Sequence, residues 1–438
     1  MKKKSFYLLL FTSLLLAWFF AYMGDESNLA EGINNAIRSD GLGYYAWTQF
    51  FMEGQNLCFD DIRVRYENYS PQNAWVIKPI ENSDCFLPIY PFGMGLILIP
   101  FFLIALAISG KYQIHEIDAL STHFQIMVST SSTIFVTSGL YLFRKLIFLY
   151  FPFILPIVAN FIVISLLLGS NLLHYATYDG IFSHGSSFFV NSIILFLTIK
   201  TLISKNLSRI NLFLLGFLPL FGMTIRPTNV SFILFTVLVL FVVVKNRDFI
   251  KLKFLVIGFI SGLLIIFLQI LLWKISTGTF FYFTYYDYEG FSFQPFTIFR
   301  ILFSFNPHGL LPWSPILVLA LLGALGSYKF SRPIFLTSVT VFAINSIAFA
   351  SWTQPYGGGA FGNRLYIDLY PLLFIPIAMA FLHINKRLLA TIFVFSVLAN
   401  VVTLHLTYQY WKGEIDFGGI PLDQYIDQIS EMARFIYQ

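Results

Sequence analysis

The sequence predicts an all-α, polytopic membrane bundle of about eleven transmembrane helices, with a long first outer loop carrying juxtamembrane helices. Three observations lead there. Composition is the first: of 438 residues, 57% are hydrophobic and only 11% charged, and the mean hydropathy is +0.74, a balance foreign to water-soluble domains. Second, the apolar runs are near-continuous and of spanning length, roughly 17–25 residues, without the alternating ten-residue pattern of an outer-membrane barrel. Third, the charges segregate along the chain. Sixteen of the 27 Lys and Arg residues sit in short hinges at Lys2–Lys4, Arg144/Lys145, Lys200/Lys205/Arg209, Lys245/Arg247/Lys251/Lys253, Lys329/Arg332 and Lys386/Arg387, accompanied by one acid, Asp248. The remaining acids fall in the alternate segments, so the basic hinges are expected to face the cytoplasm.

The first apolar run, Ser5 to Met23, follows Met-Lys-Lys-Lys like a signal peptide, but its core is long and no small-x-small cleavage site closes it. It is expected to remain as an uncleaved helix. The run Phe92 to Ser109 is not counted as a span, because a crossing there would send every basic hinge from Arg144 onward outside. Pro91, Gly93, Gly95 and Pro100 also suit a helix lying in or dipping into the outer leaflet. The expected spans are then 5–23, 122–143, 147–168, 187–203, 210–225, 229–245, 253–274, 313–329, 333–350, 367–384 and 388–406. This places the N-terminus inside and the C-terminus outside a plasma (inner) membrane. The chain reads as one integral membrane domain, 1–438, with a first outer loop at 24–121, a late outer loop at 275–312 and an outer tail at 407–438. The tail is expected to form an amphipathic helix around LDQYIDQISEMARFIY. The chain contains no soluble domain, low-complexity linker or clear internal repeat, and nothing in it points to nucleic acid.

The only two cysteines, Cys58 and Cys85, lie in the first outer loop. In an oxidising compartment they would close a loop of about 28 residues. In a reducing one they would stay free, and the sequence leaves both readings open.

The candidate site residues all fall in the outer segments. In NNAIRSDGLGYYAW, residues 34–47, Asp40 precedes a short aromatic helix over Tyr44 to Met52, and Gly41 and Gly43 allow close approach to the backbone. A cap for that helix and an aromatic belt would also explain Asp40, Tyr44 and Tyr45. Residues 171–187, NLLHYATYDGIFSHGSS, crowd His174, Asp179 and His184 between two spans. Arg226 in MTIRPTN and Arg364 in GGGAFGNRLYIDLYP stand at the outer ends of spans, and His308 lies beside Asn306 in NPHGLLPW. Singly, the arginines would serve as lipid-headgroup anchors and the histidines as structural groups. Together they describe a cationic, lipid-accessible cavity beside a carboxylate, suited to binding a lipid-linked phosphate. The carboxylate would take a proton from an acceptor hydroxyl or amine attacking a sugar, with the phosphate as leaving group. A lipid-borne donor is the natural one outside the cytoplasm, where nucleotide sugars are absent. No cofactor is expected. A divalent metal is compatible but not indicated, since His174 with His184 is a weak ligand pattern.

These segments resemble the polyprenyl-phosphate-dependent GT-C glycosyltransferases, the class that includes protein O-mannosyltransferases and the aminoarabinose transferase of lipid A. The resemblance rests on RSDGLGYYAW, YPFGMGLILIPF, IRPTN, NPHGLLPW and GGGAFGNRLYIDLYP, and covers most of the chain. It implies a polyprenyl-phosphate sugar donor and a glycan, lipid or protein acceptor, with membrane lipids around the bundle. It further implies that Asp40 is the catalytic base and that Arg364, Arg226 and His308 contact the donor phosphate. Tyr44, Tyr45, Asp179 and His184 are expected to line the same substrate site. Many members carry an Asp-Glu pair where Asp40 is followed by Gly41, and Asp25 is the reserve base. The chief alternatives are a flippase or transporter of lipid-linked saccharides and a lipid-linked glycan ligase or polymerase. A flippase predicts charge in mid-span, which runs such as FIVISLLLG and SFILFTVLVLFVVV lack.

Overall fold

The computed structural model describes residues 3–23, 35–54, 57–80, 85–110, 118–204, 208–245, 249–282, 284, 290–292, 294–382, 386–416 and 418–437. Among the described residues about 78% are helical with almost no strand, as the all-α expectation requires. Among the described residues seven helices are long and apolar enough to cross a membrane: Thr122–Tyr150, Ser183–Ile203, Pro227–Lys245, Lys251–Thr277, Arg332–Ser351, Arg364–Leu382 and Arg387–Trp411. The other four expected spans coincide with shorter apolar helices at Phe6–Tyr22, Pro156–Leu168, Arg209–Ile225 and Pro315–Phe330. The run left out of the count is also a short helix, Gly93–Ser109. One boundary differs from expectation. The helix that passes Arg144/Lys145 continues to Tyr150, and the next begins only at Pro156, because Pro152 and Pro156 place the break where a backbone donor is missing.

The chain divides into two compact units, each entered several times by the sequence. The first comprises Met1–Thr137, Tyr175–Val190 and Thr201–Tyr288. Its helices include α1 (Lys3–Met23), α2 (Asp40–Glu53), α3 (Asp60–Tyr69) and α4 (Gly93–Ser109). The aromatic stretch expected at an interface is instead the buried centre of this unit, with residues 40–49 all covered. Trp47 donates its indole N–H to the Tyr90 carbonyl at 2.7 Å, and Phe50, Phe51, Phe59 and Phe92 surround its ring. That packing needs Gly95, where a Cβ would collide with Trp47, and it lets Thr48 donate to the Gly95 carbonyl at 3.0 Å.

A two-stranded antiparallel hairpin, β1 (Ile77–Pro79) with β2 (Phe86–Pro88), follows α3 in register Ile77 to Pro88. Cys58 and Cys85 are joined by a disulfide, which ties the start of α3 to this hairpin. Loss of the bond in a Cys58→Ser/Cys85→Ser variant is expected to cost about 3–4 kcal/mol, from loop-closure entropy over the 27-residue separation. The check is thermal unfolding of the purified protein with and without reductant; equal melting points would show that the bond contributes nothing.

Farther along the first unit, α5 (Arg209–Ile225) lies against α6 (Phe249–Thr277). The two backbones touch. A Cβ on Gly258 would run into the Phe213 carbonyl, one on Gly216 into the Leu255 carbonyl, and one on Gly262 would stand 2.7 Å from Leu220 Cβ. Gly258 and Gly262 are four apart, the small-residue spacing by which helices approach closely in lipid.

The second unit comprises Ser138–His174, Asn191–Lys200 and Glu289–Gln438. It includes α7 (Thr297–Phe303), α8 (Val318–Phe330), α9 (Arg332–Ser351), α10 (Phe374–Leu382), α11 (Lys386–Trp411) and α12 (Leu422–Tyr437). Here α8 meets α10 at Gly323, where a Cβ would collide with the Pro376 carbonyl. The expected amphipathic tail helix is α12. Its Tyr425 enters a buried cluster with Trp313, Phe361, Leu406, Tyr410, Ile415 and Ile420, and donates its hydroxyl to the Pro312 carbonyl at 2.7 Å. Burial pushes the Tyr425 hydroxyl up to about 12.

Candidate functional site

In the first unit Asp40 is the first residue of α2 and only 9% exposed. The cap position belongs to Ser39, whose side chain makes no capping bond, so capping does not account for Asp40. A carboxylate in the first turn is still favoured by the helix dipole. Ser39 has φ +47°, the sole left-handed residue other than glycine among those described. Such backbone costs of order 1–3 kcal/mol and concentrates at functional sites. Gly41 is required by contact: a Cβ there would strike Ile181, two residues beyond Asp179.

Around this helix start the structure gathers most of the residues expected to bind substrate. Ser183 donates to the Tyr44 hydroxyl at 2.9 Å, and the Arg226 guanidinium reaches the Ser183 hydroxyl at 3.4 Å and His184 Nε2 at 3.3 Å. Arginine can only donate, so His184 Nε2 presents its lone pair to Arg226 and the imidazole stands neutral there. Tyr44 also stacks on Tyr90 with ring centres 4.3 Å apart. Asp179 pairs with Arg38 at 3.4 Å, and the Arg38 guanidinium lies 3.9 Å above the Tyr178 ring. Burial opposes the charge on Arg38, but Tyr178, Asp179 and Tyr22 around it hold its pKa above the ordinary value.

Tyr45 takes a different part. Its hydroxyl donates to the Ala119 carbonyl at 2.7 Å and its ring meets Phe102, so it fixes the packing of α2. Burial raises its pKa well above the usual tyrosine value. The reserve base, Asp25, lies outside the described residues.

Two expected residues belong to the second unit. His308 is 1% exposed, packs edge-on against Trp313 at 5.5 Å, and is approached by the tail at Gly419, whose φ of +84° brings its α-carbon near the imidazole. Arg364 opens a 3₁₀ helix, Arg364–Leu373, and its side chain lies over Gly357; a Cβ on Gly357 would stand 2.8 Å from Arg364 Cγ. Four residues farther, Asp368 is 1% exposed, and its backbone carbonyl accepts from Asn191 at 2.9 Å. His174 is also in this unit, accepting the Trp411 indole N–H at Nδ1, 2.9 Å away, between the rings of Phe361 and Tyr410. His174 and His184 therefore hold separate partners.

Among the described residues the one His, Cys, Asp or Glu grouping close enough for a metal is Cys58, Asp60 and Cys85, and its two sulfurs are bonded to each other. Sequence reasoning missed Arg38, Ser183 and Asp368. Arg38 had a signal, being a cation two residues before the singled-out acid in an otherwise acid-bearing segment. Ser183 and Asp368 had none, since a lone serine or a carboxylate within an apolar run acquires meaning only from what folds against it.

No known family, curated protein or solved structure matches the chain.

Proposed function

We propose that the protein is an integral membrane glycosyltransferase that moves a sugar from a polyprenyl-phosphate donor to an acceptor hydroxyl or amine on the outer face of the plasma membrane. The observation that carries the reading is the start of α2. A buried carboxylate, Asp40, follows a left-handed serine, and the same unit holds the Arg226–His184–Ser183–Tyr44 contacts and the Arg38–Asp179 pair. In this reading the chain crosses the bilayer eleven times, with the seven long helices and the four shorter apolar ones as spans and Gly93–Ser109 as a juxtamembrane helix. Shorter spans are compatible with a locally thinned bilayer.

The chemistry balances simply. The acceptor oxygen or nitrogen attacks the anomeric carbon, its proton passes to Asp40, and the bond from that carbon to the phosphate oxygen breaks with its electron pair remaining on the phosphate. Positive charge from the arginines stabilises the phosphate as its negative charge grows, an effect that is strong where water is excluded. His184, held neutral by Arg226, orients that guanidinium without adding charge to it.

The test is sugar transfer from a panel of radiolabelled polyprenyl-phosphate sugars by the purified protein in lipid nanodiscs. Transfer from at least one donor is expected. Absence of transfer from all of them, by protein that is folded and binds lipid, would discard the reading in favour of movement of a lipid-linked saccharide.

A further inference from the structure

The glycine-rich turn between α9 and the Arg364–Leu373 helix carries two polar groups with no visible reason to be there. Asn363 is 1% exposed, and its carboxamide nitrogen reaches two backbone carbonyls, Pro355 at 3.4 Å and Ile301 at 3.5 Å. Those two acceptors fix which end of the amide is nitrogen, so the other end is the oxygen, and among the described residues it is buried without a hydrogen-bond partner. The Tyr356 hydroxyl, at the other end of the same turn, is likewise inaccessible and without a partner. An orphaned buried polar group is costly, and a fold tolerates two in one turn where a ligand satisfies them.

The rest of the turn suits an anionic ligand. Arg364 lies over Gly357, and the charge of Arg300 on α7 reaches Tyr356. Gly357 and Gly358 have φ of +85° and +70°, and the space above Gly358 is open. Among the described residues the amides of Gly358 and Gly359 donate to no backbone carbonyl. Side-chain-free backbone whose N–H groups are not taken up by backbone carbonyls, beside a guanidinium, suits phosphate oxygens. The turn is braced from behind, where Ser292 donates to the Ser351 carbonyl at 2.6 Å and Thr353 to the Gly290 carbonyl at 3.0 Å, so its ends do not drift.

We propose that residues 356–364 bind the head group of a sugar phosphate ester, with Arg364 and the Gly358 and Gly359 amides on the phosphate and Asn363 Oδ1 and the Tyr356 hydroxyl on sugar hydroxyls. The proposal deepens the glycosyltransferase reading and rests on it for the lipid that bears the head group. It assigns discrimination for the sugar to two uncharged side chains and retention of the phosphate to the turn and its arginine.

The test measures binding by the full chain in nanodiscs of three probes: polyprenyl-phosphate hexoses and pentoses, bare polyprenyl phosphate, and soluble hexose 1-phosphate. The wild type is expected to bind one sugar-bearing lipid at least about tenfold tighter than the bare lipid phosphate, the worth of one or two hydrogen bonds. Asn363→Ala and, more conservatively, Tyr356→Phe should each erase about three- to tenfold of that preference without changing affinity for the bare lipid. Arg364→Gln should weaken both lipids by more than about tenfold. Soluble hexose 1-phosphate competing as well as the lipid would assign the same turn to a free sugar phosphate. Equal wild-type affinity for sugar-bearing and bare lipids, or Tyr356→Phe and Asn363→Ala binding the sugar-bearing lipid as the wild type does, would overturn the proposal. Transfer activity separates the two readings: a wild type that transfers sugar while Asn363→Ala keeps its donor KM overturns this inference alone. A wild type that discriminates as expected yet transfers nothing overturns only the glycosyltransferase reading.

Discussion

Asp40→Asn is expected to lower sugar transfer by about 10²–10⁴-fold, the usual contribution of a positioned base, while donor affinity stays within a few-fold of wild type. The substitution is close to isosteric, so the contact between Gly41 and Ile181 and the left-handed Ser39 are kept. What is lost, in the proposed reaction, is the group that accepts the proton. The helix dipole contributes about 0.3–1 kcal/mol for a first-turn carboxylate. Initial rates at saturating donor, with donor binding measured on the same samples, test this directly. A variant within threefold of wild type would relieve Asp40 of the role and make Asp25→Asn the next experiment.

The second large effect is structural. Gly258→Leu is expected to prevent stable folding of the first unit, and Gly258→Ala to destabilise it by about 1–3 kcal/mol. The reason is where the side chain would go. The new Cβ meets the Phe213 carbonyl, a backbone atom of α5 that cannot rotate away, and separating the helices would undo the contacts at Gly216 and Gly262 together. Only 22% of the apolar window of α6 is buried, so α6 has little other protein to hold it. Without a hydrophobic driving force between helices in lipid, that close approach is the main source of their attraction. Gly290→Ala is the control, because among the described residues nothing lies within 4 Å of its added carbon. Yield and melting temperature in one detergent decide the matter; a Gly258→Leu protein that melts with the control would refute the packing argument.

Much of this architecture was legible because hydrophobicity is a property of the chain before it folds. The runs expected at 122–143, 187–203 and 253–274 announce helices by length alone, and the structure extends them to Thr122–Tyr150, Ser183–Ile203 and Lys251–Thr277. The break at Phe151 was misplaced because charge at Arg144/Lys145 suggested a hinge, whereas proline geometry sets it. The Gly258/Gly262 spacing was present in IGFISGLL and went unread, since glycine in an apolar run looks like a weakness until a partner helix is known. Of the candidate site, Tyr44, Asp179, His184 and Arg226 were found by residue type and position, and folding brings them into contacts of the first unit. Tyr45 was included for its type and proved to be packing. The orphaned oxygen of Asn363 could not have been read at all, because being unpartnered is a relation among neighbours.

The cluster around Trp313 has a consequence for biosynthesis. Trp313 and Phe361 share their buried cluster with Ile415, Ile420 and Tyr425, which follow Trp313 by roughly a hundred positions in the chain. A ribosome adding about 5–20 residues per second delivers those partners several seconds after Trp313 has emerged. During that interval a large indole and His308 wait without their cover. The second unit therefore has to be shielded while it is unfinished, by lipid or by the insertion machinery, and slowing translation after residue 313 should expose this stretch to proteases before the rest of the molecule.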